Sequence, residues 1–391
     1  MSNDKLYVRQ ICFLFLAFAL PVKLITMPAL AAKYAAEDLW ISAAINFAPD
    51  LAMVFAICML ARKFEGQTVF EIVENKFGII GKTIFSAAFG LFFLFKAYLP
   101  LIEHRNFIEI ALYETTPALW IFLPVFLFSA FMSYKGLRGA GRTADIAIWF
   151  TVSGIIVIAA LSITAADVTN LLPIIDVPFG KIAEGSLNTS IWFFDSPYLL
   201  FCLGHFKPEK NQTKKIVFSY LGMALITLVY MAILQSEFGT LTERQFFSPI
   251  KMGKYSVSVS NIGRIDYIAV CSIIFSCLFG CCLSLMFSTV CLEKTFRFKH
   301  RIIPCLIING FMAAIIVLTE DYYFLIRTFF QNYLIPVFAF FTLIPLVGFC
   351  FKGGKNDKGG LDADGRAGKN GHDDNGLITD EKGRKDKSCA F

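Results

Sequence analysis

Residues 15–30 read FLAFALPVKLITMPAL, an apolar run that holds a single charged residue. That residue, Lys23, lies between Pro21 and Pro28. Proline lacks a backbone donor and its ring clashes with the preceding turn, so a helix that carries proline in its interior is bent or broken. The run is therefore predicted to be a helix that is interrupted around Lys23.

A second run of the same kind reads SIWFFDSPYLLF at residues 190–201. Asp195 and Ser196 come directly before Pro197. The same argument about proline applies, and this helix is also predicted to be discontinuous.

The composition indicates that the solvent around these helices is a lipid bilayer. Apolar residues make up 56% of the 391 residues and charged residues only 17%. A soluble domain has about 45–50% apolar and about 25% charged residues. These values exclude a disordered chain, a disulfide-framed secreted domain and a nucleic-acid-binding protein.

Ten apolar runs are long enough to cross about 30 Å of hydrocarbon as helices. They are continuous rather than alternating, which favours helices over a β-barrel. The spans are residues 11–30, 38–61, 83–102, 118–134, 143–165, 186–206, 216–236, 266–291, 302–319 and 331–351. The chain is predicted to be an all-α integral membrane protein, with a ten-helix transmembrane domain at residues 1–351.

The two interrupted helices are the first and the sixth of these ten. This placement is what an inverted repeat of five plus five helices predicts. A half-helix that begins at the interruption presents unpaired N–H groups to an anion, while freed carbonyls and a carboxylate can meet a cation. A free amino acid carries both charges, so it is the ligand that this arrangement favours.

Four ionisable residues fall at membrane depth, namely Lys23, Asp50, Lys96 and Asp195. Such residues are costly in hydrocarbon and usually face a cavity, a partner or a pathway. A buried ion pair that locks the helices together would also explain them, and the lysines could instead reach an interface. Lys96 would supply either a proton-linked charge or a fixed charge in place of a bound sodium ion.

Signatures of catalysis are missing from the sequence, which has no GxxxxGK[ST], HExxH or GxSxG motif. The glycine-rich stretch KGLRGAGR at residues 135–142 follows no strand, so it is interpreted as a connection rather than a nucleotide site. Ten of the eleven cysteines lie in or at the edges of apolar spans, as is typical of small packing residues. We expect no enzyme activity, no metal and no cofactor.

Three stretches resemble the spore-germination permease family, the B subunits of nutrient germinant receptors within the amino acid–polyamine–organocation superfamily. They read FLAFALPVKLITMPALAAKYAAEDLWI at residues 15–41, YETTPALW at 113–120 and YKGLRGAGRTADI at 134–146. The last is the most specific, and the resemblance extends over residues 5–351.

The resemblance implies a leucine-transporter-like fold with a ligand pocket between the broken helices 1 and 6 and helices 3 and 8. It also implies a receptor formed with a large A subunit and a lipoprotein C subunit in the spore inner membrane. Together with the interrupted helices, it leads us to expect ten ligand-binding residues: Pro21, Val22, Lys23, Leu24, Lys96, Tyr98, Phe194, Asp195, Ser196 and Tyr198.

Three functions remain open at this point. The first is a germinant-sensing subunit that binds a nutrient, and the second is a proton- or cation-coupled amino-acid transporter of the cell membrane. The third is a membrane anchor for partner proteins, in which the buried charges serve assembly only. The sequence also leaves the ligand open among an amino acid, a sugar, a nucleoside and an ion.

The distribution of basic residues predicts that both termini are cytoplasmic. The N-terminus and the four connections on its side hold 17 lysines and arginines, whereas the five opposite connections hold 8. Basic residues accumulate on the cytoplasmic side of membrane proteins. Residues 352–391, which include nine glycines and carry a net charge of only +1, are predicted to be a disordered cytoplasmic tail.

This topology can be tested by cysteine labelling. In a variant stripped of its native cysteines, a cysteine in place of Asn356 should react with a membrane-impermeant reagent only after the cells are permeabilised, because the tail is expected to face the cytoplasm. Labelling in intact cells would show that the topology is wrong.

Overall fold

The computed structural model describes residues 5–111, 118–207, 209–255, 266–298, 300–319 and 328–329. The tenth predicted span at 331–351 and the predicted tail at 352–391 lie outside these residues. The helices are α1 (Val8–Ile25), α2 (Met27–Ala35), α3 (Leu39–Lys63), α4 (Val69–Ala111), α5 (Ala118–Ser162), α6 (Phe179–Thr189), α7 (Ser196–Phe201), α8 (Gln212–Phe238), α9 (Ser248–Tyr255), α10 (Asp266–Phe296) and α11 (Ile302–Thr319).

Seven helical stretches in the described part of the chain are long and apolar enough to cross a membrane. Two of them are central, because 72% of the most apolar window of α1 and of α10 is buried against other helices. The corresponding share is 33–44% for the other five, whose remaining surface is apolar and suits lipid. The chain is an all-α integral membrane protein, as predicted.

Two long helices bend sharply at glycine. α4 bends at Gly78 (φ 72°, ψ −173°) and α5 bends at Gly136 (φ 68°, ψ −167°). Backbone angles of this kind are open essentially only to glycine. Predicted spans 4 and 5 are therefore the two arms of α5, and the connection predicted at 135–142 is a bend at one residue, after which the chain is helical again.

The first helix is interrupted as predicted, but later in the chain than expected. α1 continues through Pro21 and Lys23, and the interruption lies at Thr26. α2 begins directly afterwards with Pro28 in its first turn, where a missing N–H costs nothing. Lys23 consequently lies in the last turn of α1 rather than inside the break.

The sixth predicted span, residues 186–206, is interrupted at residues 193–195. α6 ends in a 3-10 turn at Ser190–Trp192, and Phe193 is extended. Phe194 has φ 60°, in the left-handed region that a phenylalanine rarely adopts. Asp195 then occupies the N-cap position of the short helix α7, without a cap hydrogen bond from its own side chain, and Pro197 lies in the first turn of that helix.

The two central helices approach closely beside these breaks. A Cβ atom at Gly280 of α10 would lie 3.2 Å from the backbone oxygen of Phe18 on α1. A side chain at this position would be a tight fit, and a small residue that allows close approach is common between membrane helices. The contact holds α10 against the half of α1 that leads to Lys23.

The residues before α1 tie together three parts of the chain. Leu6 donates its N–H to the oxygen of His205 at 2.7 Å and accepts the N–H of Lys207 at 2.9 Å. Gln10 donates its side-chain amide to Asp145 at 3.0 Å, and Asp145 lies on α5 just after the glycine-rich stretch. The N-terminal end of α1 is thereby fixed both to α5 and to the segment that follows α7.

The bend in α5 predicts a specific sensitivity to substitution. Gly136→Ala should lower the stability of the protein by roughly 1–3 kcal/mol, because alanine must then adopt backbone angles that its Cβ disfavours. The measurement is the thermal unfolding of the purified protein in detergent.

Gly222→Ala is the matched control, because Gly222 lies in the regular helix α8 and nothing lies within 4 Å of its added Cβ. This variant should be as stable as the wild type or more stable, by up to about 1 kcal/mol. Equal melting temperatures for the two variants would show that the bend at Gly136 carries no strain.

Candidate ligand-binding site

A cavity lies between α1, α4, α10 and the broken segment that leads into α7. It encloses about 480 Å³ of space that no atom occupies, including the part open to solvent. Aromatic and aliphatic side chains form most of its walls: Phe18, Val22, Phe95, Leu99, Ile191 and Trp192. The polar side chains that reach it are Lys23, Lys96, Asp195, Tyr198 and Ser284.

Three charged side chains meet at one wall of this cavity. The Asp195 carboxylate accepts hydrogen bonds from Lys23 through Oδ2 and from Lys96 through Oδ1, the latter at 3.3 Å. Lys23 also donates to the backbone oxygen of Ala19 at 3.3 Å, and Lys96 donates to that of Phe193 at 2.6 Å. Lys23 is 0% exposed and Asp195 2% exposed, so the two charges depend on each other for compensation.

Asp50 of α3 lies behind this wall and holds the start of α7. Its carboxylate accepts the N–H of Asp195 at 3.0 Å and the N–H of Ser196 at 3.1 Å. The hydroxyl of Tyr220 on α8 donates to the same carboxylate at 3.0 Å. The N–H groups that the break was predicted to offer to an anionic ligand are thus bound by a carboxylate of the chain itself.

The other break is held in a comparable way. Glu103 of α4 accepts the hydroxyl of Thr26 at 2.6 Å and the indole N–H of Trp192 at 3.3 Å, and so connects both interruptions. The backbone oxygen of Leu24, near the end of α1, accepts the hydroxyl of Ser248 at 2.7 Å. Side chains therefore satisfy backbone groups at both breaks.

Tyr198 positions the start of α7 against the central helices. Its hydroxyl shares a 2.6 Å hydrogen bond with Ser284 of α10. Its ring packs against Phe18 with centroids 4.2 Å apart and against Phe93 with centroids 5.0 Å apart. This packing fixes the aromatic side of the cavity.

Five of the ten predicted site residues line the cavity: Val22, Lys23, Lys96, Asp195 and Tyr198. The structure brings these together from α1, α4 and α7. A cavity between the two broken helices and the third and eighth spans is also where the resemblance placed it.

The other five predicted residues do not line the cavity. Tyr98 bonds Thr319 of α11 at 2.8 Å, because it lies two positions after Lys96 and so on the opposite face of α4. Pro21 and Leu24 are buried on other faces of α1. Ser196 contributes its N–H to Asp50, and Phe194 forms the bend in the backbone.

Sequence reasoning missed two carboxylates of this region. Asp50 is one of the four ionisable residues predicted at membrane depth, but no proline break marks it as part of the site. Glu103 was excluded because the third span was ended at residue 102, whereas α4 continues to Ala111. The spacing of Lys96 and Glu103, seven residues apart on one helical face, is the signal that would have found Glu103.

The described residues contain no group of three or more His, Cys, Asp or Glu side chains that could hold a metal ion. What the arrangement offers instead is a pair of ammonium groups at an apolar cavity. Such a site suits the binding of a small polar molecule.

Comparison with known proteins identifies the family of this chain. The profile of a family described as spore germination protein matches residues 5–323. The chain belongs to the spore germination protein family. Within the family it is similar to spore germination proteins YndE and A2 of Bacillus subtilis (strain 168), at 22% identity over 244 residues and 23% over 212 residues.

The match to YndE covers 61% of this chain and 66% of YndE, and the match to A2 covers 54% of this chain and 57% of A2. The chain therefore spans about three fifths of the length of these two relatives. Its fold is similar to that of a Na⁺-coupled sialic acid symporter in a substrate-bound outward-open state, with a TM-score of 0.59. That match covers 88% of this chain and 77% of the symporter at 13% identity. The fold is thus transporter-like.

The role of Asp50 predicts the effect of removing its charge. Asp50→Asn should destabilise the protein by about 2 kcal/mol, because an amide side chain accepts less well from two N–H groups at a helix start and has no charge to offer them. The melting temperature in detergent measures the change.

Asp167→Asn is the matched control. Asp167 also accepts an N–H at the start of a short 3-10 helix, from Thr169 at 2.9 Å, but that turn is exposed to solvent. Water can replace the lost contact there, so the variant should melt close to the wild type. If the melting temperature of Asp50→Asn equals that of Asp167→Asn, Asp50 does not hold the break together.

Proposed function

We propose that this protein is the membrane subunit of a nutrient germinant receptor, and that it binds an amino acid or a similar small nutrient in the cavity between its broken helices. The observation that supports this most directly is the meeting of Lys23, Lys96 and Asp195 at an otherwise apolar cavity. Membership of the spore germination protein family supports the biological role.

The arrangement of the charges suggests how binding is transmitted. Asp195 precedes α7, Lys23 lies at the end of α1 and Lys96 lies on α4, so one carboxylate joins three helices. A ligand that pairs with one of these groups changes the attraction between the other two. Binding is thereby converted into a change in how the broken helices are held, without passage of the ligand through the membrane.

We also propose the partner subunits, the membrane and the orientation of the protein. The receptor is formed with an A subunit and a lipoprotein C subunit in the spore inner membrane, and both termini face the cytoplasm. The family match supports the location in the spore, and the excess of basic residues on one side supports the orientation.

A second candidate function is the coupled transport of a small nutrient across the cell membrane. The likeness of the fold to that of a Na⁺-coupled symporter favours it. Uptake of a radiolabelled ligand into proteoliposomes separates the two functions: a transporter accumulates the ligand when an ion gradient is applied, whereas a sensing subunit binds it without accumulation.

Removing the charge of Asp195 tests the site. Asp195→Asn should abolish germination in response to nutrient while the protein remains in the membrane, because both lysines lose their shared partner. The measurements are the germination rate of spores that carry the variant and the amount of the protein in their membranes.

Asp167→Asn, at an exposed turn, should leave germination unchanged. A normal nutrient response in Asp195→Asn at wild-type abundance would contradict the proposed site. Loss of the protein itself would instead indicate that the ion pair serves assembly.

A further inference from the structure

The glycine-rich stretch of α5, KGLRGAGR, lines no part of the ligand cavity, and its three glycines serve the backbone and the packing. Gly136 forms the bend. A Cβ atom at Gly139 would clash with that of Lys135, and one at Gly141 would clash with the side chain of Leu6. The glycines of the stretch are thus accounted for by the fold.

The three basic residues of the same stretch are not accounted for in this way. Lys135, Arg138 and Arg142 are all exposed. Among the residues that the structure describes, Arg138 and Arg142 have neither a hydrogen bond nor an ion pair. Lys135 lies over the rings of Phe131 and Tyr134, with its ammonium nitrogen 5.9 and 5.4 Å from their centroids. Nothing in the described fold requires three positive charges at this bend.

Two further basic side chains lie beside the stretch. A Cβ atom at Gly136 would lie 2.9 Å from Nη1 of Arg301, whose Nε lies 3.1 Å from a carboxylate oxygen of Glu293. Arg9, at the start of α1, lies 3.4 Å from a carboxylate oxygen of Asp145. Both acidic side chains thus have a basic partner of their own, and the three basic residues of the stretch add positive charge that these carboxylates do not balance.

Exposed apolar side chains continue from this charge along both arms of α5. On the second arm, Arg138, Arg142 and Trp149 are four and seven positions apart and lie on one helical face, and Trp149 is 70% exposed. On the first arm, Tyr134 is 68% and Leu127 63% exposed. The stretch connects predicted spans 4 and 5, so the apolar side chains face lipid and the basic ones lie at the membrane surface. Tryptophan and tyrosine are also enriched at that level of a membrane.

From this arrangement we infer that the bend of α5 binds an anionic phospholipid. The guanidinium groups of Arg138 and Arg142 hold the phosphate of the headgroup, because guanidinium presents several N–H donors in a geometry that matches phosphate oxygens. Lys135 adds its charge beside them, and the acyl chains lie along the exposed apolar side chains of the two arms.

The apolar side chains below the charge favour a lipid over an acidic protein as the partner. A soluble acidic surface would balance the charge at the bend but would not cover Leu127 and Trp149, which face the hydrocarbon. A phospholipid supplies the anion and the apolar chains in one molecule. The site is separate from the ligand cavity, so its failure would leave the proposed function standing.

The test uses the purified full-length protein in a neutral detergent. Its melting temperature is measured with dioleoylphosphatidylglycerol, with dioleoylphosphatidylcholine and with glycerol 1-phosphate at equal concentrations. Phosphatidylglycerol should raise the melting temperature, because a ligand that binds only the folded state stabilises it. The other two should change it little, because phosphatidylcholine has no net charge and glycerol 1-phosphate has no acyl chains.

Two of these comparisons can overturn the inference. An equal shift with phosphatidylcholine would show that the charge is not recognised, and an equal shift with glycerol 1-phosphate would show that the ligand is a free phosphate. The absence of a shift with phosphatidylglycerol would also contradict the inference and would leave an acidic protein as the partner of this surface.

A pair of double variants locates the site. Arg138→Gln/Arg142→Gln should weaken the binding of phosphatidylglycerol, titrated against the melting temperature, about tenfold or more, because each basic residue adds to the attraction of an anionic lipid. Lys210→Gln/Lys214→Gln is the matched control. It removes two exposed positive charges near the start of α8, on the same predicted side of the membrane, and should leave the binding unchanged.

Equal binding by Arg138→Gln/Arg142→Gln and the wild type would show that the lipid binds elsewhere. An equal loss in the lysine variant would show that only the total positive charge matters, which would also contradict the inference. The comparison of the two lipids and glycerol 1-phosphate uses the wild-type protein alone, so it remains decisive even if a variant folds poorly.

Discussion

A helix that is interrupted inside a bilayer leaves backbone N–H and C=O groups that water cannot reach, and the rest of this structure depends on how those groups are satisfied. The partners come from elsewhere in the chain: Asp50 from α3, Lys96 from α4 and Ser248 from α9. Each of them approaches a break only when its helix is packed in place. The backbone groups at the interruptions are therefore satisfied in the assembled bundle, by residues from other helices.

The side chains that satisfy the broken helices also bring several charges together beside the cavity. Lys23 and Lys96 both pair with Asp195, and Asp50 lies beside it, in a region where an isolated charge is costly. A buried ion pair adds little to stability compared with apolar packing, but loss of one partner leaves the other uncompensated. The two ion pairs of Asp195 therefore hold α1, α4 and the start of α7 together.

Local patterns in the sequence predicted where most of the described membrane helices lie, but not which face of each helix contacts which neighbour. Continuous apolar runs predicted the spans, and the prolines beside Lys23 and Asp195 predicted the two interruptions, because hydropathy and proline chemistry are local properties. The position of the first break at Thr26 depends on which turn tolerates Pro28, and the exclusion of Tyr98 depends on the rotation of α4 against α11. The partnership of Asp50 with α7 joins residues 145 positions apart, which no local pattern reveals.

The position of Asp50 also changes what a broken helix does in this protein. In a pocket where the half-helix start is open, a ligand anion binds the N–H groups directly and the backbone sets the specificity. Here a carboxylate on α3 occupies that place, because Asp50 accepts the N–H groups of Asp195 and Ser196. The charged groups that face the cavity are then side chains, namely Lys23, Lys96 and Asp195, and their ion pairs join α1, α4 and the start of α7. The proposed ligand therefore meets side chains and their ion pairs in this cavity, and not the N–H groups at the start of α7.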